Sequence, residues 1–525
     1  MTEPKDDADL MTLTLNKYSI PVHRSKLASK SRYFSSLFSH DFNDSQNREQ
    51  AINYDISSLT LKDFVNWVED DGDPSENETY PAIKTSLKKF EEEHYEDLLD
   101  LLQLSVLFMA DDLTEDIVDI IVYYWLLPHK VTELWLLATE LNLTVLRDIC
   151  FSVCLDKFGD MPMPSTMELS KDDYNKITKN VNVRSSKYLL EFSNKNWVQH
   201  NVEPNDVSLA IERKPKFVQG MLASKSSPFV PKEPCVYVWD KICLKELVKV
   251  KNLPHSEKDL IGTQVTGRGF SIYMIGGEMG IGTGLFNKYI WRYCLFAKKW
   301  YYFQRLPVPR RHMISVFIGC KLYIIGGVGR HRLKLSTMDI FNVHTCTWSK
   351  GARVPEEFTE VPPHCVMNGN LFFIKSSIYI YHPDSNHWET LPIFSNPAVQ
   401  KVDALIVHNK TLFMSGHHLG EEILLRVDAT NDSTCEKEEC IRDHCEHNVI
   451  TNVSIVHEDE TCRLRYAQVG DVGIMLLGTR DDSNHIYLHV QTGLRRDLCE
   501  YNFNPRLGYF NVIDPSTLYD TIESV

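Results

Sequence analysis

The feature that most limits how this chain can fold is a segment that recurs in its second half. Ser271–Pro307, "SIYMIGGEMGIGTGLFNKYIWRYCLFAKKWYYFQRLP", runs as an apolar strand, the pair Gly276-Gly277, a loop, an aromatic strand, Trp300 and then Leu306-Pro307. Leu322–Pro355 says it again, with Gly326-Gly327, "MDIFNVHTCTW" ending at Trp348, and Val354-Pro355. A third copy, "NLFFIKSSIYIYHPDSNHWETLP", keeps Tyr381, Trp388 and Leu391-Pro392 but carries no glycine pair. The tryptophans stand 48 and 40 residues apart.

A period of that length, with several short strands per unit, predicts the blades of a β-propeller. Inner strands crowd near the axis of such a ring. Glycines at the end of the second strand let the backbone turn with positive φ and let neighbouring blades approach. Tryptophan on an outer strand fills the space between wedge-shaped sheets. The pattern resembles the Kelch repeat. Weaker copies lie at Lys214–Pro254, around Ser415-Gly416 and around Gly478, which predicts six blades over residues 210–500, with 501–525 as a tail or a closing strand.

The first half is built differently. Residues 1–200 hold 20 Lys+Arg against 35 Asp+Glu, and the remainder holds 36 of each, so the whole acidic excess lies at the front. That balance speaks against a nucleic-acid grip there. Met11, Leu13 and Leu15 alternate with Thr12 and Thr14, Asn16-Lys17 turns, and Tyr18–Val22 returns, which reads as a hairpin. Leu27, Phe34, Leu37 and Phe38 follow at helical spacings. "YEDLLDLLQLSVLFMADDLTEDIVDIIVYYWL" is apolar nearly all round and predicts a buried helical pair. Asp119, Pro128 and Lys130 break the most apolar stretch before it could span a bilayer, and the acidic start is unlike a secretory signal. Thirteen scattered cysteines fit free thiols in a reducing cytosol or nucleus.

His23-Arg24, Leu27 and Ser31–Phe38 resemble the opening of a BTB/POZ domain. Leu134, Ala138, Leu141, Leu143, Leu146, Cys150 and Phe158 resemble the start of a BACK domain. With the glycine–tryptophan units behind them, the chain is identified as a member of the BTB–BACK–Kelch (Kelch-like) family. The resemblance implies an α+β multidomain protein: a BTB/POZ α/β domain over 8–127 with an acidic insertion near 69–97, an all-α BACK domain over 128–205, and a six-bladed all-β Kelch propeller. It further implies a non-catalytic substrate adaptor of a cullin-3 RING ubiquitin ligase, working as a homodimer without cofactor, metal, nucleic acid or membrane. Cullin binding would fall to Phe42 and Asp44, where the family's motif carries Glu in place of the Asp. The target would meet the loops "PRRHM" and "GGVGRHRLK", hence Arg310, Arg311, His312, Arg330, His331, Arg332 and Lys334. Residues 251–353 hold 16 Lys+Arg against 4 Asp+Glu, and arginine forks suit carboxylates or phosphates, so an acidic or phosphorylated target segment is expected. A scaffold of the same architecture that binds cytoskeletal or other proteins and no cullin is the alternative.

Two further signals are weaker than they look. "GGEMGIGTG" is followed by strand-like sequence, so no helix N-terminus faces an anion. Cys435, Cys440, His444, Cys445 and His447 lack the paired C-x2-C spacing of a structural zinc site. No nucleophile elbow, P-loop or H-E-x-x-H occurs, and the histidines are too dispersed for the copper site of an oxidase propeller.

Overall fold

The computed structural model describes residues 9–39, 47–70, 94–157, 169–178, 260–268, 270–280, 282–343 and 345–391, with the backbone of further strands between 217 and 513. The chain divides into two compact units, Met1–Cys150 and Phe151–Val525.

In the first unit, β1 (Leu10–Leu15) and β2 (Tyr18–His23) form the predicted hairpin, Leu10 opposite His23 and Leu15 opposite Tyr18. Asn16 turns it with φ +54, a conformation that its short polar side chain tolerates. Met11, Leu13 and Leu15 are buried while Thr12 and Thr14 are half-buried, as a period of two requires. β3 (Glu49–Ala51) joins β1 in parallel on its other side. Among the described residues the helices are α1 (Arg24–Lys30), α2 (Arg32–Leu37), α3 (Ser58–Glu69), α4 (Tyr95–Leu107), α5 (Asp111–Tyr124), α6 (Val131–Glu140), α7 (Thr144–Lys157) and α8 (Lys171–Thr178). Ser31 caps α2, its Oγ accepting from the Phe34 amide at 3.2 Å and donating to the Phe108 carbonyl at 2.6 Å. That one hydroxyl ties α2 to the end of α4. Phe34, Phe64 and Phe108 then close a common aromatic core, with centroids 4.8 and 5.1 Å apart. α4 and α5 are the buried pair that the sequence predicts, with Leu98, Leu101, Leu102, Leu113, Ile117, Ile120 and Ile121 removed from solvent.

The described strands of the second unit form antiparallel sheets, most of them four-stranded. β4 (Phe217–Lys225), β5 (Cys235–Trp239) and β6 (Leu244–Lys249) pair in chain order. After the short β7 (Leu260–Ile261), β8 (Gln264–Arg268), β9 (Ser271–Ile275), β11 (Tyr289–Cys294) and β12 (Lys299–Arg305) make the sheet of the first glycine-bearing repeat; β10 (Glu278–Met279) pairs with β7 instead. β13 (Ile314–Ile318), β14 (Lys321–Ile325), β15 (Met338–Asn342) and β16 (Thr347–Lys350) make the second. β17 (His364–Met367), β18 (Asn370–Ile374), β19 (Ile378–His382) and β20 (His387–Leu391) make the third. β21 (Lys401–His408), β22 (Thr411–His418), β23 (Glu421–Val427) and β24 (Val449–Ser454) form another. β25 (Cys462–Val469), β26 (Gly473–Arg480), β27 (His485–Thr492) and β28 (Arg495–Asn504) follow, and β29 (Tyr509–Ile513) pairs antiparallel with β4.

Both faces of the middle strands β9, β14, β15, β18 and β19 are buried, so these strands read as apolar runs and not as alternation. Leu322 and Ile324 pack with Tyr273, Ile275 and Phe303 of the preceding sheet, while Tyr323 and Ile325 pack with Leu371, Phe373 and Tyr381 of the next. Phe372, Ile374, Ile378 and Ile380 meet Leu405, Leu412 and Met414 in the same way. Trp300, Trp348 and Trp388 lie on the edge strands β12, β16 and β20. Trp348 packs 4.9 Å from Phe341, and Trp388 5.0 Å from Tyr381. At the opposite edges the first strands neighbour one another in turn: β8 beside β13, β13 beside β17, β17 beside β21, β21 beside β25, β25 beside β4, and β29 beside β8.

Candidate protein-binding loops

The glycine pairs do what the repeat requires. Gly276, Gly277, Gly326 and Gly327 all have positive φ, between +60 and +102. A Cβ on Gly326 would lie 2.6 Å from the Phe358 ring, which leads into the next sheet, and one on Gly276 would lie 2.5 Å from the Arg310 carbonyl oxygen. Sheets this close leave no room for a side chain.

The basic residues expected to meet a target separate into two groups. Arg310 is fully buried, which corrects its assignment as a contact residue. Its Nη1 donates to the carbonyls of Gly326 (3.1 Å) and Thr337 (3.2 Å), its Nε donates to Val308 (3.1 Å), and its Nη2 pairs with buried Asp339. Lys350 holds the other oxygen of Asp339 from the surface. A guanidinium with this many fixed acceptors is a structural group that fastens the glycine turn to β15. Arg311 is also engaged: its Nε lies 3.0 Å from Oε2 of buried Glu278, whose Oε1 accepts from the Gly284 amide at 2.9 Å. Arg311 and Val328 exchange backbone hydrogen bonds of 3.0 and 2.8 Å. Arg311 therefore stitches the 278–286 loop to the 328–334 loop. His312 is half-buried with φ +54; burial foremost, and then the Arg311 charge, lowers its pKa, so the ring is neutral at pH 7.

Arg330, His331, Arg332 and Lys334 are exposed, as the sequence predicts. They crown a tight hairpin in which Val328 bridges Lys334 and the Leu333 amide donates to the Arg330 carbonyl at 3.2 Å. The two central residues, His331 and Arg332, have φ +56 and +57. This is the geometry of a type I′ turn, which prefers Asn-Gly or Gly-Gly. Holding L-residues with full side chains there costs about 1–2 kcal/mol each. Sequence reasoning missed two neighbours, Leu333 and Leu285, which are 62% and 63% exposed. Leu285 sits on the 278–286 loop, and a Cβ at Gly282 of that loop would be 3.3 Å from the Arg332 guanidinium. The two tips are adjacent. Phe42 and Asp44 lie outside the described residues, as do Cys435, Cys440, His444, Cys445 and His447. Among the described residues no group of three or more His, Cys, Asp or Glu could hold a metal ion, and no helix is long and apolar enough to cross a membrane.

A small sheet with helices, and then glycine-turned sheets that carry charged loops, is an architecture in which exposed loops are available for binding. The BTB/POZ domain model matches residues 3–112, and the Kelch motif model matches residues 309–355. Kelch-like protein 25 of Homo sapiens is 23% identical over 363 residues, covering 65% of this chain and 55% of that relative. The BTB/POZ match, the Kelch match and the similarity to a Kelch-like protein together support the BTB–Kelch (Kelch-like) family. Its match spans little more than half the length of that relative.

Proposed function

We propose that this protein is the substrate-recognition adaptor of a cullin-3 RING ubiquitin ligase. The BTB half docks the cullin, using Phe42 as an apolar anchor and Asp44 beside it, and the helices from α6 onward extend that dock as a BACK domain over 128–205. The sheets over 210–500 form a six-bladed propeller that presents a target protein through an acidic or phosphorylated segment. Support for the ring comes from the turn-by-turn neighbourhood of the first strands and from the pairing of β29 with β4, which gives the first sheet its fourth strand from the far end of the chain.

The observation that carries the reading is the joining, in one chain, of a BTB domain to a Kelch motif whose exposed loop tip carries Arg330, His331, Arg332 and Lys334 and no acid. Nothing in this role needs side-chain chemistry. Rate enhancement comes from holding the target near the ubiquitin-charged partner, which raises its effective concentration. Two copies joined through their BTB domains would offer two target sites. The free thiols Cys294, Cys320 and Cys365 are compatible with work in the reducing cytosol or nucleus.

Capture of cullin-3 by the full chain, compared with Phe42→Ala, tests this. Loss of a buried anchor should weaken capture by about tenfold or more. Equal binding by both proteins removes Phe42 from the dock. If neither protein captures cullin-3, the alternative holds: a scaffold for cytoskeletal or other proteins, which the shorter Asp44 in the Glu position of the motif favours.

A further inference from the structure

We propose that the paired loop tips at Leu285 and at Arg330–Lys334 form one composite site for a short acidic peptide segment that also carries aliphatic side chains. This rests on the sheet half being the target-binding half and adds the chemistry of what it takes.

Four observations lead there. The hairpin tip places His331-Arg332 where the turn itself asks for Asn-Gly, so local backbone preference does not explain those residues. Where a sequence breaks a local rule, the reason usually lies in function. Secondly, Arg330, Arg332 and Lys334 are exposed, and Glu278 of the neighbouring loop is already taken by Arg311 and the Gly284 amide. Thirdly, Leu285 and Leu333 are each more than three-fifths exposed on the two tips. Lastly, the Arg311–Glu278 pair and the Arg311–Val328 backbone bonds fix the two loops to each other, so the site is preorganised.

The leucines choose the partner. A polyanion such as RNA would use the arginines and gain nothing from two exposed leucines. A peptide with carboxylates flanking a Leu, Ile or Met side chain uses both, with forked hydrogen bonds to the arginines and apolar burial against Leu285 and Leu333.

The test is selection of a displayed random-peptide library on the full chain, followed by binding of the enriched peptides to variants. Enriched sequences should combine Asp or Glu with aliphatic residues. Arg330→Ala/Arg332→Ala and, separately, Leu285→Ser/Leu333→Ser should each weaken them by about tenfold or more. The change His331→Asn/Arg332→Gly should raise the melting temperature while weakening the peptides, a combination that a purely structural role for the tip would not give. Peptides without acids or without aliphatics, variants that bind as the wild type does, or a selection that enriches nothing would overturn the proposal. So would a short single-stranded RNA that binds through the arginines regardless of the leucines. Cullin-3 capture by the same variants should be unchanged, which separates failure of this site from failure of the adaptor role.

Discussion

The second and third repeats solve the same problem with different materials. In the second, β14 ends at Ile325 and β15 begins at Met338, and the long link between them starts with Gly326-Gly327 and is bolted inside by Arg310 and Asp339. In the third, β18 ends at Ile374 and β19 begins at Ile378, so Lys375-Ser376-Ser377 alone turns the chain. Glu356 holds that turn from near the surface, accepting from the Ser376 amide (3.1 Å), the Ser376 hydroxyl (2.6 Å) and the Tyr379 hydroxyl (2.9 Å), with Lys375 3.0 Å away. The tight turn needs no glycine and exposes no platform. A long loop needs the glycine pair at its root and a buried ion pair to keep that root in place, and only this kind of loop can carry a binding tip.

If that contrast is right, breaking the two anchors should have unequal effects. Arg310→Ala strands Asp339 in the interior beside a single surface lysine, and removal of one partner of a buried pair costs on the order of 3–5 kcal/mol. A fall in unfolding free energy of that size, measured by urea denaturation of the full chain, is expected; a change under about 1 kcal/mol would show that the pair is dispensable. Next in size is Gly326→Ala, which meets both the Phe358 ring and a φ of +60, at about 2–3 kcal/mol. Gly369 has φ +78 but open space around it, so Gly369→Ala should lose only about 1 kcal/mol. Equal losses at the two glycines would mean that close approach of the sheets is not what the pair serves. The smallest effect belongs to Glu356. Burial alone would raise its pKa, but the hydrogen bonds from Ser376, Lys375 and Tyr379 outweigh it and hold the carboxyl at about 2. A lowered folded-state pKa gives stability that is present above about pH 4.5 and lost as pH falls towards 2. Solvent screening at this partly exposed site limits it to about 1 kcal/mol. Glu356→Gln should therefore flatten the acid limb of the stability profile by that amount.

The repeat was legible because glycine pairs and edge tryptophans answer to sterics, which a linear pattern records. Met11, Leu13 and Leu15 were legible for the same reason: a hairpin with one buried face alternates. Arg310 was misplaced because a run of basic residues does not say which member finds a partner 29 positions downstream. A signal did exist. Asp339 is an acid inside "MDIF", a strand with apolar neighbours on both sides, and an acid buried between two sheets requires a cation. The exposed leucines escaped notice because Leu285 and Leu333 read as ordinary loop residues until the fold sets their tips side by side.

The union of β29 with β4 has a consequence for how the protein is made. Phe217–Lys225 leaves the ribosome long before Tyr509–Ile513, yet the two strands must end up hydrogen-bonded to each other. Contacts so distant along the chain form late and slowly. The first sheet of the second unit is therefore the last to be completed, and until then β4 waits with an edge open to pairing with other chains.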